Sequence, residues 1–102
     1  MKALSDKYIA GFLDADGCIY MDRNGRVWVE FSQKEANSGV IELIHGVVGG
    51  SYLTKIGRRR GTRTVGVRCV LSGKRAVSMI ERLKQHLVVK AQIAEDLSLI
   101  HI

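Results

Sequence analysis

Apolar and polar residues alternate along this chain with two distinct periods, and the switches between them mark its elements. From a cap at Ser5 or Asp6 to about Asp16 the apolar residues Ile9, Phe12 and Leu13 recur at helical spacing, and Gly17 is placed to stop the helix. Cys18 to Asp22 reads as a strand. Asn24-Gly25 is a two-residue hairpin signal. Arg26 to Gln33 then alternates, with Val27, Val29 and Phe31 on one face and Arg26, Trp28, Glu30 and Ser32 on the other. Asn37 or Ser38 can cap a second helix with Val40, Leu43, Ile44, Val47 and Val48 on its stripe, stopped by Gly49-Gly50. A third strand covers about Ser51 to Arg58, with Gly61 in the next turn. The fourth carries Val65, Val67, Cys69 and Leu71 inward and Thr64, Gly66, Arg68 and Val70 outward. Ser72 can cap a third helix bearing Val77, Ile80, Leu83 and Leu87. The last, about Val89 to His101, carries Ile93, Leu97 and Ile100.

The order is α-ββα-ββα-α, an α+β arrangement with a hairpin–helix unit occurring twice. It predicts one four-stranded antiparallel sheet with the helices on one face. The other face is expected to present Tyr20, Asp22, Arg26, Trp28 and Glu30 from the first hairpin. Tyr52, Thr54, Arg58 and Arg68 are expected there from the second. That mixture is too polar for a second core. A polar, aromatic and basic sheet face suits a nucleic-acid groove.

Charge sharpens this. The 102 residues carry a net charge of +6, and no acidic residue stands between Glu42 and Glu81. The same stretch holds Lys55, Arg58, Arg59, Arg60, Arg63, Arg68, Lys74 and Arg75. An unbroken basic half favours a polyanion. An anionic membrane fits less well, because the arginine-rich part reads as strand and turn. No apolar stretch approaches the ~20 residues of a bilayer span, and no signal-peptide pattern opens the chain. Cys18 and Cys69 lack metal-ligand spacing and read as reduced thiols, and His45, His86 and His101 have no ligand-like spacing. The expectation is one domain over residues 1–102, inside the cell (cytoplasm, nucleoid or organelle) and not secreted.

The chemistry concentrates in Ile9-Ala10-Gly11-Phe12-Leu13-Asp14-Ala15-Asp16-Gly17. Gly11 and Ala15 lie four apart on one helix face, a spacing that lets two helices approach closely. Asp16 falls in the last turn, where partial negative charge disfavours a carboxylate by ~0.3–1 kcal/mol. A divalent cation reverses that sign.

This segment resembles the motif of the LAGLIDADG homing endonucleases. Six of nine positions match outright (Ala10, Gly11, Asp14, Ala15, Asp16 and Gly17), with hydrophobic replacements at Ile9, Phe12 and Leu13. The αββαββα order also looks like that family's fold. The resemblance implies a homodimer joined through the motif helices, with Tyr8, Gly11, Phe12 and Ala15 at the interface, and two sheets forming a saddle over a pseudo-palindromic duplex. It implies Asp16 as metal ligand, helped by the carbonyl of Ala15. Gln33 would orient the attacking water or a ligand, and Lys90 would stabilise charge on the scissile phosphate. Lys34 adds to that field. Asp14, the first acid of the motif, reads as structural more than catalytic. The implied cofactor is Mg²⁺, with Mn²⁺ substituting and Ca²⁺ binding without turnover. The implied reaction is hydrolysis of a DNA phosphodiester without a protein nucleophile. DNA contacts are expected from the face residues already named and from Arg23, Asn24, Ser32, Lys34, Arg59, Arg60 and Arg63. Where some relatives place a further basic residue near the second helix, this chain has Asn37. Two other functions stay open on the same surface: a non-cleaving DNA regulator, and an intron-splicing cofactor whose exposed Tyr20, Trp28 and Tyr52 stack on RNA bases.

Overall fold

Val27, Val29 and Phe31 are fully or almost fully buried, while Trp28, Glu30 and Ser32, which alternate with them, are not. The period-two pattern thus puts one face of this strand in the core, each such side chain contributing ~1.5–3 kcal/mol of burial. The computed structural model describes residues 4–59 and 61–100, with the side chains of 58, 59 and 100 left aside. Its elements are α1 (Asp6–Asp16), β1 (Gly17–Met21), β2 (Val27–Lys34), α2 (Ser38–Val48), β3 (Ser51–Arg59), β4 (Thr62–Ser72), α3 (Lys74–Leu83) and α4 (Ala91–Ile100). Single 3₁₀ turns precede α2 and follow α3. The strands form one antiparallel sheet in the order β1-β2-β4-β3. The two hairpins therefore meet along β2 and β4, where Phe31 lies opposite Cys69 and Val29 opposite Leu71.

One hydrophobic cluster joins these strand residues to Ile9, Ala10 and Leu13 of α1, Ile41 and Ile44 of α2, Ile80 and Leu83 of α3, and Ala94 and Leu97 of α4. Burial pushes the Cys69 thiol up to about 11, so this sulfur is a packing atom, and it donates to the Gly49 carbonyl at 3.2 Å. Among the described residues no helix is long and apolar enough to cross a membrane.

Several local expectations change. The first hairpin closes over three residues. Gly25 N–H donates to the Asp22 carbonyl at 3.0 Å, Asp22 N–H donates to the Arg26 carbonyl at 2.9 Å, and Gly25 has φ 81°. Glycine at the last loop position permits this form. Asp22 selects it, because its Oδ1 accepts from the N–H of both Asn24 and Arg26. Gly17 does not stop α1 through a positive φ, since its φ is −106°. An added Cβ there would meet Leu13 Cδ1 at 2.5 Å and the Glu30 carbonyl at 2.9 Å, so glycine is required by close approach. Ser72 remains in β4 and Gly73, at φ 62°, occupies the cap of α3. In α2 the stripe uses Ile41 where Leu43 was expected, and Leu43 is exposed. In α4 it uses Ala94, Leu97 and Ser98, leaving Ile93 exposed. Ser98 is buried and bonded to Glu81 and Lys84, which ties α4 to the end of α3.

Candidate active site

Asp16 is the last residue of α1 and Gly17 the first of β1, so no loop separates the helix end from the sheet. The helix begins cleanly because Ser5 Oγ accepts from the N–H of Tyr8 at 3.1 Å. At its other end Asp16 Oδ2 accepts from Gln33 Nε2 at 3.1 Å, and the Asp16 carbonyl accepts from Ser32 Oγ at 3.4 Å. Gln33 is oriented in turn: its Oε1 accepts from the N–H of Lys34 and from Asn37 Nδ2, both at 3.2 Å. This fixes which end of the Gln33 amide faces Asp16. Asn37, expected as a helix cap, makes no capping bond and serves as this outer brace. The second oxygen of Asp16, Oδ1, makes no hydrogen bond among the described residues.

Asp14 faces elsewhere. Its carboxylate accepts from the backbone N–H of Val88 and Lys90, and Lys90 Nζ donates to the Asp14 carbonyl at 2.6 Å. Burial alone would raise this carboxyl, but the N–H groups of Val88, Lys90 and Val89 and the Lys90 charge hold it below the usual range. Asp14 thus anchors the 88–90 loop within its own chain and brings Lys90 to the end of α1.

Asp16 opens onto a cleft of about 530 Å³ on the face away from the helices, beside Glu30, Gln33, Lys34, Lys55 and Arg68. Lys90 does not line it. Tyr20 and Trp28 lie further along this face, stacked at 6.2 Å between ring centroids and 11° between planes. Trp28 Nε1 donates to Asp22 Oδ2 at 2.9 Å, so Asp22 is fully engaged in holding the hairpin and its indole. That bond, with the Arg26 and Asn24 N–H groups, keeps the Asp22 carboxyl below its ordinary value. Burial and the neighbouring Glu30 push the Tyr20 hydroxyl up.

Tyr52 and Thr54, expected on this face, are not on it, and neither is Arg63, expected among the DNA contacts. Tyr52 pairs with Cys69 and Thr54 with Val67, so both share the helix-side register. Tyr52 is half-buried with its ring 5.8 Å from that of His45. Arg63 follows Val65 and Val67 in the same register and is exposed. The cause is Gly50, where a Cβ would sit 2.4 Å from the Val70 carbonyl. That approach sets Ser51 opposite Val70 and turns Leu53 and Lys55 outward. Lys55, one of the residues of the basic stretch, was not among the expected contacts because β3 lacks a clean alternation. Arg26 lies just before β2, exposed, with its guanidinium beside Gly73. Arg23 and Asn24 are exposed in the hairpin loop, and Ser32 and Lys34 are exposed near the end of β2. Arg60 and the side chains of Arg58 and Arg59 lie outside the described residues.

On α1, Tyr8, Gly11 and Ala15 are exposed, and nothing lies within 4 Å of a Cβ added at Gly11. Phe12 is half-buried against Phe31, ring centroids 6.4 Å apart. The described residues contain no group of three or more His, Cys, Asp or Glu able to hold a metal. One carboxylate with an unengaged oxygen, at a helix end rich in carbonyl oxygens, matches the hard donors that Mg²⁺ and Ca²⁺ take. It is too few for a complete site. A metal held at Asp16 would need further ligands besides this carboxylate.

No protein-family model matches the chain, and no curated protein sequence does. Solved structures do. The homing endonuclease I-CvuI, crystallised with its target in the presence of Ca, is 21% identical with a TM-score of 0.67, over 93% of this chain and 64% of that one. I-CvuI with the I-CreI target in the presence of Mg, its DNA not cleaved, has a TM-score of 0.66 at 21% identity, again over 93% and 64%. The homing endonuclease I-TnaI is 15% identical with a TM-score of 0.68, over 97% of this chain and 72% of that one. The chain thus spans 64% of the length of I-CvuI. At these identities the likeness is one of fold, and with the motif helix and the β1-β2-β4-β3 sheet in place it has one reading: this chain has the LAGLIDADG-type homing endonuclease fold.

Proposed function

We propose that the chain is a site-specific endonuclease of double-stranded DNA, acting as a homodimer on a long pseudo-palindromic site with a divalent metal. The observation that carries this is the pairing of Asp16 with Gln33 at the open end of α1, on the same cleft as Lys34, Lys55 and Arg68. An acid and an oriented amide beside three cations suit an anionic substrate that must be both held and hydrolysed.

In this reading Asp16, with the Ala15 carbonyl, holds the metal, and the matching residues of a second copy complete the ligand set. The exposed stripe of Tyr8, Gly11 and Ala15 admits that copy, because the missing side chain at Gly11 leaves its face open. A bound Mg²⁺ supplies an acidified water and positive charge at the phosphate. Gln33, fixed by Lys34 and Asn37, orients the water. Lys90, held at the helix end by Asp14, stands to meet the developing charge when the backbone of the duplex arrives.

One observation favours a non-cleaving regulator: Lys90 Nζ is engaged by the Asp14 carbonyl and does not line the cleft. One experiment decides between them. Duplexes are selected from a randomised library in Ca²⁺ and then moved to Mg²⁺. Cleavage of a recovered pseudo-palindrome into two defined ends, lost in Asp16→Asn, supports the endonuclease. Tight selection with no cutting in Mg²⁺ or Mn²⁺ supports the regulator. No selection of duplex, with capture of folded RNA, overturns both.

A further inference from the structure

The strand residues of this protein are basic or neutral with one exception. Glu30 is the acidic residue within the four strands, and it stands on the outer face in the middle of β2. A carboxylate there repels a phosphate backbone, so it weakens general attraction to a polyanion. Its neighbours directly across the sheet are Cys18 on β1 and Val70 on β4, neither a cation. Its charge is met instead from Arg68, which lies opposite Ser32 and reaches along β4. Arg68 Nη1 donates to Glu30 Oε1 at 3.1 Å, with 36% of the arginine side chain and 18% of the glutamate exposed. Arg68 Nε is buried without a hydrogen-bond partner, and Nη2 makes no hydrogen bond among the described residues. The guanidinium is therefore gripped on one side, its Nη2 has no hydrogen-bond partner among the described residues, and Arg68 lines the cleft.

From this arrangement we propose that Glu30 is a positioning residue for base readout, holding the Arg68 guanidinium so that its free donors address a guanine. The inference rests on the DNA-binding reading above. An arginine fork matches the O6 and N7 acceptors of guanine in the major groove. A long, unrestrained arginine on a basic face also finds phosphates, and phosphate contacts carry no sequence information. Glu30 removes that freedom before the duplex arrives, and its charge discourages the sliding of a phosphate into the same place. The face gives up some overall affinity and gains discrimination at one position of each half-site. An ordinary exposed ion pair would do neither.

The test compares base preference with bulk affinity. Wild type, Glu30→Gln and Arg68→Lys are each put through duplex selection in Ca²⁺, and binding to a random duplex of equal length is titrated alongside. Thermal melting of each variant confirms that it is folded. Wild type should prefer guanine at one position per half-site by roughly tenfold or more, the range of a bidentate arginine–guanine contact. Glu30→Gln should bind random duplex more tightly while that preference falls several-fold. Arg68→Lys should keep its affinity for random duplex and lose the preference, since an ammonium cannot reproduce the fork. An unchanged preference in Glu30→Gln, with affinity raised equally for every sequence, overturns the proposal and leaves a plain surface ion pair. An unchanged preference in Arg68→Lys overturns it independently. Failure of wild type to select any duplex would instead strike down the DNA-binding reading itself.

Discussion

The carboxylate of Asp14 accepts from the backbone N–H of Val88 at 2.6 Å and of Lys90 at 2.8 Å, and Lys90 Nζ answers at 2.6 Å on the Asp14 carbonyl. Residues more than seventy positions apart are thereby closed into one unit. Asp14→Asn keeps one acceptor and turns an N–H₂ towards a backbone donor. Bonds to a charged acceptor are worth ~1.5–3 kcal/mol each, so the variant should lose stability on that order. Under the endonuclease reading its cutting rate should fall further than its affinity for duplex. Chemical denaturation and single-turnover cleavage, measured on the same preparation, check both halves.

Acid should act through the same carboxylate. Asp14 and Asp22 are held below the ordinary value of 3.8 by their hydrogen bonds. A carboxyl with a lowered folded value adds stability that is complete above its unfolded value and vanishes as pH falls through the folded one. The melting temperature should therefore show no loss from these two groups between neutrality and about 3.8, and should drop below it. In Asp14→Asn that drop should be shallower.

Gly17 has the tightest surroundings at the helix–strand junction. Its absent Cβ would lie 2.5 Å from Leu13 Cδ1 and 2.9 Å from both the Leu13 Cα and the Glu30 carbonyl. Two of those atoms are backbone and cannot swing aside. Gly17→Ala should cost about 1–3 kcal/mol, as overpacking does. A denaturation midpoint equal to wild type would contradict this.

Gly11 is the converse case. A Cβ there meets nothing, and alanine in an exposed helix interior is worth ~0.5–1 kcal/mol over glycine. Under the homodimer reading, Gly11→Leu should fold but fail to self-associate, because a branched side chain would keep two motif helices apart. Sedimentation velocity separates the outcomes, and a variant that sediments as the wild type does would refute packing through this face.

Trp28 is the chain's one tryptophan and reports on the outer face. Its indole is stacked on Tyr20 and bonded to Asp22. Under the DNA-binding reading, duplex DNA should shift or quench its emission. Trp28→Phe removes the bond to Asp22 and should cost about 1 kcal/mol.

Residues whose environment is local were legible in the sequence. The alternation of β2 and β4 named Val27, Val29, Phe31, Cys69 and Leu71 as inward, and they are buried. The ends of α1 followed from Ser5 and Gly17, although the glycine acts by close approach. What failed was set by distant partners. Tyr52 and Thr54 turn to the helix side because Gly50 meets the carbonyl of Val70, a contact across twenty residues. Asn37 looked like a cap and braces Gln33. The Asp14 anchor joins the first helix to the last loop, and no spacing rule reaches that far.

The absence of any connecting residue between Asp16 and β1 bears on how such a protein could be retargeted. Side chains on the outer face can be exchanged without lengthening, shortening or loosening the path from the sheet to the acid, because that path is backbone alone, wedged at Gly17. Under the endonuclease reading, which bases are preferred and which bond is broken become separate variables. The first is written in exchangeable side chains, and the second is a fixed offset built into the main chain.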